Sequence, residues 1–485
     1  MRQLKAFLLL TISLSNHAFG QHCNCQSNFE WVKKTFEEND AGFLYVIGIK
    51  GKEAYLEHNR QFLEKVKQAK TRDECGSLLY DWMTFFRPGH IAIRMNDNNT
   101  AARPAAPTPA LNQFPHWETA SIDIEKFENY LGRKKEADFE GIWETPPYTI
   151  GISKEGDAYV GFIIESGADT WKKGQVKLKI TPDEKGLHAT FYLRDHSAVA
   201  SDDIHLTGKN HLQIGQFELA RISPVFTDEK KIADYYRLLA SQKPYVETLN
   251  STTLYLRIPS FQQDAKKDID SVLAANRAKI LATENLILDI RSGQGGSDVS
   301  YEGILPFLYT DPIRTVGLEF LSTPLNNQRM LDFIDKPEYG FNDEEKKWAR
   351  ESYDKLQKHL GQFINLDTAV VGIQKYDTVY PYPRSVGIII NNHNGSTDEQ
   401  FLLAAKQSRK VKLFGTTTFG ELDISNMYFV PSPCNEFTLG YSLSRSMRIP
   451  GMTIDGKGIQ PDYYLDTGIP DYEWVEFVST TLNEK

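Results

Sequence analysis

Two short stretches put reactive residue types where backbone geometry could assist chemistry. The first, NNHNGSTDEQFLLAAKQ at 391–407, follows the apolar run VGIII and turns through Asn394 and Gly395 into a helical pattern at Ser396. A serine at such a corner has two readings. With Glu399 three residues on, it fits a capping box, in which Ser and Glu side chains satisfy free amides of the first helical turn. It is also an alcohol at a helix N-terminus, where amides and the helix dipole stabilise developing negative charge. The second stretch, LILDIRSGQGGSD at 286–298, runs an apolar strand into Gly293, Gly295 and Gly296. Glycine permits backbone angles that a Cβ forbids. Such a corner can aim two amides at one point and hold an anion or an oxyanion. It lacks the Gly-Lys-Ser/Thr of a P-loop and the GxGxxG of a dinucleotide site. Both corners close apolar strands of one alternating strand–helix region. Neighbouring parallel strands would bring them to one sheet edge, the usual place for function in such folds.

The elements that must position these corners fall into blocks. Residues 21–95 read as a helical segment, since FEWVKKTFEEN, YLEHNRQFLEKVKQA and ECGSLLYDWMTFF repeat apolar residues every three or four positions. The segment ends at RPGHIAIRM, where Pro88 and Gly89 break the helix just before His90. Residues 96–115, NDNNTAARPAAPTPALNQFP, have the composition of an extended linker. Residues 116–245 contain period-two runs (YTIGI, AYVGFII, QVKLKI, HATFYL, HLQIGQFEL) and read as a small antiparallel β module, a barrel or sandwich, with Gly141, Trp143 and Trp171 at turn and core positions. Over 246–470, short apolar strands (TLYLRI, LILDI, VGIIIN, KLFG) alternate with helices such as KKDIDSVLAANRAKILAT, the pattern of a buried and largely parallel sheet. Residues 471–485 read as a C-terminal tail. The whole is an α/β multidomain architecture.

The order YLRIPSF, LILDIRSGQGG, VGIIINNHNGSTDEQFLLAAKQ, KLFGTTTFG and DGKGIQPD resembles the tail-specific, or C-terminal-processing, serine peptidases, whose usual forms are YIRIxxF, LDLRGNGGG, VNxxTxSASE, GExTFG and GIxPD. TFEENDAGF and FFRPGHIAI are similar to the helical segment of the tricorn-like and Bacteroidetes branch, which usually ends in DGHT. The resemblance implies a ClpP/crotonase-like catalytic core, with the β module standing in place of a PDZ domain. It carries the nucleophile onto Ser396 and the oxyanion amides onto Gly295, Gly296 and Thr397. In the Ser–Lys branch a lysine follows the TFG turn; here Glu421 follows Gly420, so the base passes to His90, the His of the tricorn-like branch. Asp455, just before the closing GKGIQPD, becomes the acid that orients it. His393 is a rival base by proximity in sequence. Three positions depart from the family pattern: Asp398 beside the nucleophile, SGQGG at the glycine corner, and Pro88 before Gly89-His90.

Composition narrows the classes further. The chain has 485 residues, 40% hydrophobic and 25% charged, with a net charge of -9 and no Lys/Arg stripe, which argues for a globular protein and against nucleic acid as a partner. Arg2 and Lys5 precede AFLLLTISL, and Ala18-Phe19-Gly20 supplies small residues, so residues 1–20 read as a signal peptide cut before Gln21. No later run approaches the roughly 18 apolar residues of a membrane span. The expectation is an exported protein, periplasmic or extracellular, with no integral membrane segment after cleavage. Cys23, Cys25, Cys75 and Cys434 can then form disulfides, and Cys75 joined to Cys23 or Cys25 would staple the N-terminal segment. Their scatter does not give zinc spacing. The combined expectation is a serine peptidase acting on a peptide or protein without metal or organic cofactor, its oligomeric state open. A catalytically inactive, peptide-binding relative and an adhesion or glycan-binding role for the β module are the alternatives.

Overall fold

The computed structural model describes residues 24–96, 117–120, 122–184, 186–194, 196–367, 369–465 and 468–484. The expected signal peptide, and the expected linker beyond residue 96, lie outside them.

The strands Thr253–Arg257, Asn285–Asp289, Ser385–Ile390 and Val411–Gly415 run parallel, in that order, in the centre of a six-stranded sheet. Their sequences do not alternate because both faces are covered. Leu256, Leu288, Ile388 and Leu413 share one core with Phe401 of the helix Thr397–Ala405. Tyr255, Ile287, Ile389 and Phe414 face a second core with Leu238, Trp474, Val478 and Leu482.

That second core changes two boundaries. The expected tail contains a helix, Trp474–Asn483, whose Trp474, Val478 and Leu482 form a buried stripe four residues apart. The helix Lys230–Ala240, placed in the β module by sequence, packs here too, with Lys231 Nζ 2.6 Å from Glu473. The following strand, Tyr245–Thr248, joins the edge of the same sheet and straddles the expected boundary.

The β module is one nine-stranded antiparallel sheet. Trp143 and Trp171 are buried in its core, as their types suggested. Gly141 opens a strand rather than a turn. It is small because Arg221 crosses it: a Cβ there would lie 2.4 Å from Arg221 Nη1.

The N-terminal helices Cys25–Asn39, Phe43–Lys50, Lys52–Gln68 and Arg72–Thr84 have no separate core. Phe29, Phe36, Trp82 and Phe86 pack with Tyr428, Val430, Leu439 and Tyr441 of a hairpin that follows the parallel sheet in sequence. Cys25 and Cys75 form a disulfide, one of the two expected staples; Cys434 is also disulfide-bonded, and Cys23 lies outside the described residues. After the helices, Ala92–Met95 pairs antiparallel with Phe437–Ser446, setting Ala92 opposite Gly440. The buried Arg87–Asp40 ion pair, at 2.5 Å, locks the approach: Arg87 donates to the His90 carbonyl at 3.0 Å, and Asp40 accepts the Ser442 amide at 3.1 Å. The turn bearing His90 is thereby fixed against the sheet region.

Candidate active site

Ser396 sits where the strand Ser385–Ile390 turns into the helix Thr397–Ala405. Asn394 builds the turn. Its Oδ1 accepts the Asn391 amide at 2.8 Å, and its Nδ2 donates to the Ile290 carbonyl at 2.6 Å, tying this corner to the glycine corner. Ser396 has φ 56° and ψ -118°, a region that side-chain-bearing residues rarely occupy and that recurs where a nucleophile is held on a sharp elbow.

The expected capping box is not formed. The Ser396 side chain caps no amide. Glu399 is buried and turned away, accepting from Thr418 Oγ1 at 2.5 Å, Gly420 N at 2.8 Å and Glu421 N at 2.9 Å. The serine hydroxyl is left to face His90 Nε2, 3.0 Å away, from 306 residues earlier in the chain.

His90 Nδ1 lies 2.6 Å from the Ile424 carbonyl oxygen. A carbonyl only accepts, so Nδ1 carries the proton and Nε2 presents its lone pair to the serine hydroxyl. Burial pushes the imidazole down to about 4, with the Ile424 bond opposing and Arg87 adding to the effect. The ring is neutral near neutrality, in the tautomer a general base requires. His393, the rival, is exposed on the turn, and the serine pairs with His90 instead.

The expected contact between Asp455 and His90 is absent. Asp455 accepts backbone amides: Leu422 and Asp423 at 2.6 Å each and Ile424 at 3.1 Å. Asp423 returns the arrangement, accepting Ile454 N at 2.6 Å and Asp455 N at 2.9 Å while paired with Arg448 at 2.8 Å. Asp455 thus fixes the segment whose Ile424 carbonyl holds the ring, one step removed from it. Sequence reasoning missed Ile424 because its contribution is a backbone oxygen, which every residue has. It missed Arg448 because the partner, Asp423, lies in no motif.

At the glycine corner, Gly295 and Gly296 have φ of 73° and 148°. A Cβ on Gly295 would lie 2.8 Å from the Ser396 Cβ and 3.3 Å from the Thr397 amide, so the corner abuts the nucleophile. A Cβ on Gly296 would strike the Phe261 backbone at 2.2 Å, beside the bond from Ser297 N to Phe261 O. Gly295 is therefore the glycine of this corner that packs directly against the serine and the Thr397 amide. Gly296, the next residue, packs against the Phe261 backbone. The departure at Asp398 lies against this corner. Its carboxyl is buried beside Gly293, where a Cβ would lie 2.5 Å from Oδ2, and accepts from Asn394 Nδ2 at 2.9 Å. Burial, reinforced by Glu399 and opposed by Asn394 and the Gly295 backbone, pushes Asp398 up to about 7.

The chain is similar in sequence to a named relative and in fold to solved structures. A probable CtpA-like serine protease of Staphylococcus haemolyticus (strain JCSC1435) is 28% identical over 142 residues, 26% of this chain and 27% of that protein, so the match spans about a quarter of the relative's length. The crystal structure of mature CPAF is similar with a TM-score of 0.52 at 13% identity, covering 95% of this chain and 96% of that one. Mature CPAF complexed with lactacystin gives 0.52 at 12% identity, over 95% and 98%. At such identity the likeness shows the fold alone. His90 is supplied from outside the matched family segment, whereas Ser396, Asp455 and both glycine-bearing corners lie inside it: residues 252–465 match Peptidase family S41, which supports a serine peptidase.

Proposed function

We propose that this chain is an exported serine peptidase that hydrolyses peptide bonds through an acyl-enzyme. Ser396 Oγ attacks the peptide carbonyl while His90 Nε2 takes its proton. The oxyanion is received by the amides at Gly295 or Gly296 and at Thr397. His90 then gives the proton to the departing amine, and water repeats the sequence to release the acid. The Ile424 carbonyl holds the ring through Nδ1, and Asp455 positions that carbonyl. The chemistry requires no cofactor, and the substrate is a peptide or protein. This reading places the chain in the tail-specific branch with a histidine base and a ClpP/crotonase-like core. Export is supported by the apolar N-terminus after Arg2 and Lys5 and by the Cys25–Cys75 disulfide.

The observation that carries the reading is the 3.0 Å approach of His90 Nε2 to Ser396 Oγ. An ordinary helix cap would bond its own first turn, and this serine does not. A fluorophosphonate probe tests it. The full chain should label at Ser396, Ser396→Ala should abolish labelling, and His90→Ala should slow it by about 10²–10⁴-fold. Labelling undiminished in Ser396→Ala, or none in the native chain, would refute it.

A further inference from the structure

We propose that Glu421 is a positioning residue for this hydrolysis: its carboxylate clamps the His90 turn to the serine corner and supplies the negative charge that the imidazolium needs. The inference rests on the peptidase reading. Glu421 occupies the place after Thr418-Phe419-Gly420 where a lysine base would stand, and its side chain runs between the two reacting segments. A Cβ on Gly89 would lie 1.8 Å from its Oε2, and a Cβ on Gly395 would lie 2.7 Å from its Oε1. The residue before the base and the residue before the nucleophile therefore both lack side chains where this carboxyl lies. The His90 backbone amide lies beside the carboxyl and favours its charged form. Its own amide is fixed by Glu399 at 2.9 Å.

Among the described residues, no cation is bonded to Glu421. Arg87 is committed to Asp40 and Arg448 to Asp423, and Lys50 donates to the Phe85 carbonyl. The groups facing it from the serine helix are Asp398 and Glu399, and from the closing loop Asp455. Three backbone amides saturate Asp455, and three donors engage Glu399. Burial first, then repulsion from Glu399, Asp455 and Asp398, pushes Glu421 up to about 7, against the pull of the His90 amide. A buried imidazolium is costly without negative charge beside it, and Asp40, the carboxylate that acts on the ring, is itself paired with Arg87. The carboxylate that forms as Glu421 ionises supplies that charge beside the turn that carries the ring. The acid limb of activity then reports Glu421, because His90 is already neutral across that range.

The test is the pH profile of kcat/KM on a peptide substrate, together with the rate of fluorophosphonate labelling, for the full native chain and for Glu421→Gln. Glutamine keeps the shape but cannot ionise. The native profile should rise through neutrality. In Glu421→Gln that rise should vanish and kcat above neutrality fall by about tenfold or more, with KM nearly unchanged and the thermal midpoint above neutrality raised rather than lowered, because the native carboxyl ionises there at a cost. Gly89→Ala, which fills the carboxyl's space, should lower kcat similarly while leaving the titration in place. A Glu421→Gln enzyme with the native kcat and the native acid limb would overturn the proposal. If the native chain itself fails to label, the peptidase reading falls, and the clamp falls with it.

Discussion

Two aspartates are buried at the same sheet edge, and the fold treats them oppositely. Asp289 ends the strand Asn285–Asp289, with Arg291 Nη2 at 2.7 Å, Arg257 Nη1 at 3.6 Å and Tyr255 OH at 3.1 Å. Burial works to raise its pKa, but the Arg291 and Arg257 guanidiniums outweigh it and hold the carboxyl below its ordinary range. Asp398 begins the helix that follows the neighbouring strand. Asn394 Nδ2 donates to its Oδ2, no cation among the described residues is bonded to it, and burial pushes it up to about 7. One carboxylate is a permanent part of the frame that presents the glycine corner. The other changes charge in the neutral range, directly behind the amides of that corner. Burial alone does not distinguish structure from function here; the presence of a paired cation does.

The largest effect should come from breaking the paired site. Asp289→Ala would strand two buried guanidiniums and cost about 3–5 kcal/mol, read as a large drop in thermal midpoint and loss of activity. A change of less than about 1 kcal/mol would remove the distinction between the two sites.

Asp398→Asn is next, and its sign depends on pH. A carboxyl whose pKa is raised on folding stabilises fully below the ordinary carboxyl range, and that contribution is lost as pH rises through about 7. The native protein should lose stability between mild acid and neutrality. Asp398→Asn should flatten that slope and be more stable than the native chain above neutrality, by about 1–3 kcal/mol. It should also remove any alkaline fall in kcat, because no charge then develops behind the oxyanion amides. Thermal midpoints across a pH series, with activity alongside, check both.

The smallest effect is expected from Tyr255→Phe, which removes one hydrogen bond from a carboxylate that keeps both arginines. It should cost about 1 kcal/mol and leave the pH dependence unchanged.

Much of the frame was legible in the chain. The non-alternating runs LILDI and VGIII announce strands covered on both faces, and Gly295 and Gly296 occupy positive-φ positions as their spacing suggested. The stripe of Trp474, Val478 and Leu482 was equally visible as a helix period, yet a position at the chain's end disguised it as a tail. Less of the site was legible. Ser396 and His90 stood out by type and place, but Ser396 with Glu399 reads locally as a cap. Only the pull of Thr418, Gly420 and Glu421 on the Glu399 carboxylate dissolves that reading. Asp455 was found as a residue and misplaced as a contact, because its partners are the amides of 422–424.

The sequence by itself determined the strand and helix order, the two glycine-bearing corners and the serine between strand and helix, since hydrophobic period and backbone freedom are local properties. Only the tertiary structure decided which base meets that serine, which backbone carbonyl fixes the base, and where the Asp398 carboxyl is buried. Those outcomes depend on the pairing that sets Ala92 opposite Gly440 and on backbone donors and acceptors common to every residue. Such groups acquire a role through where the chain places them.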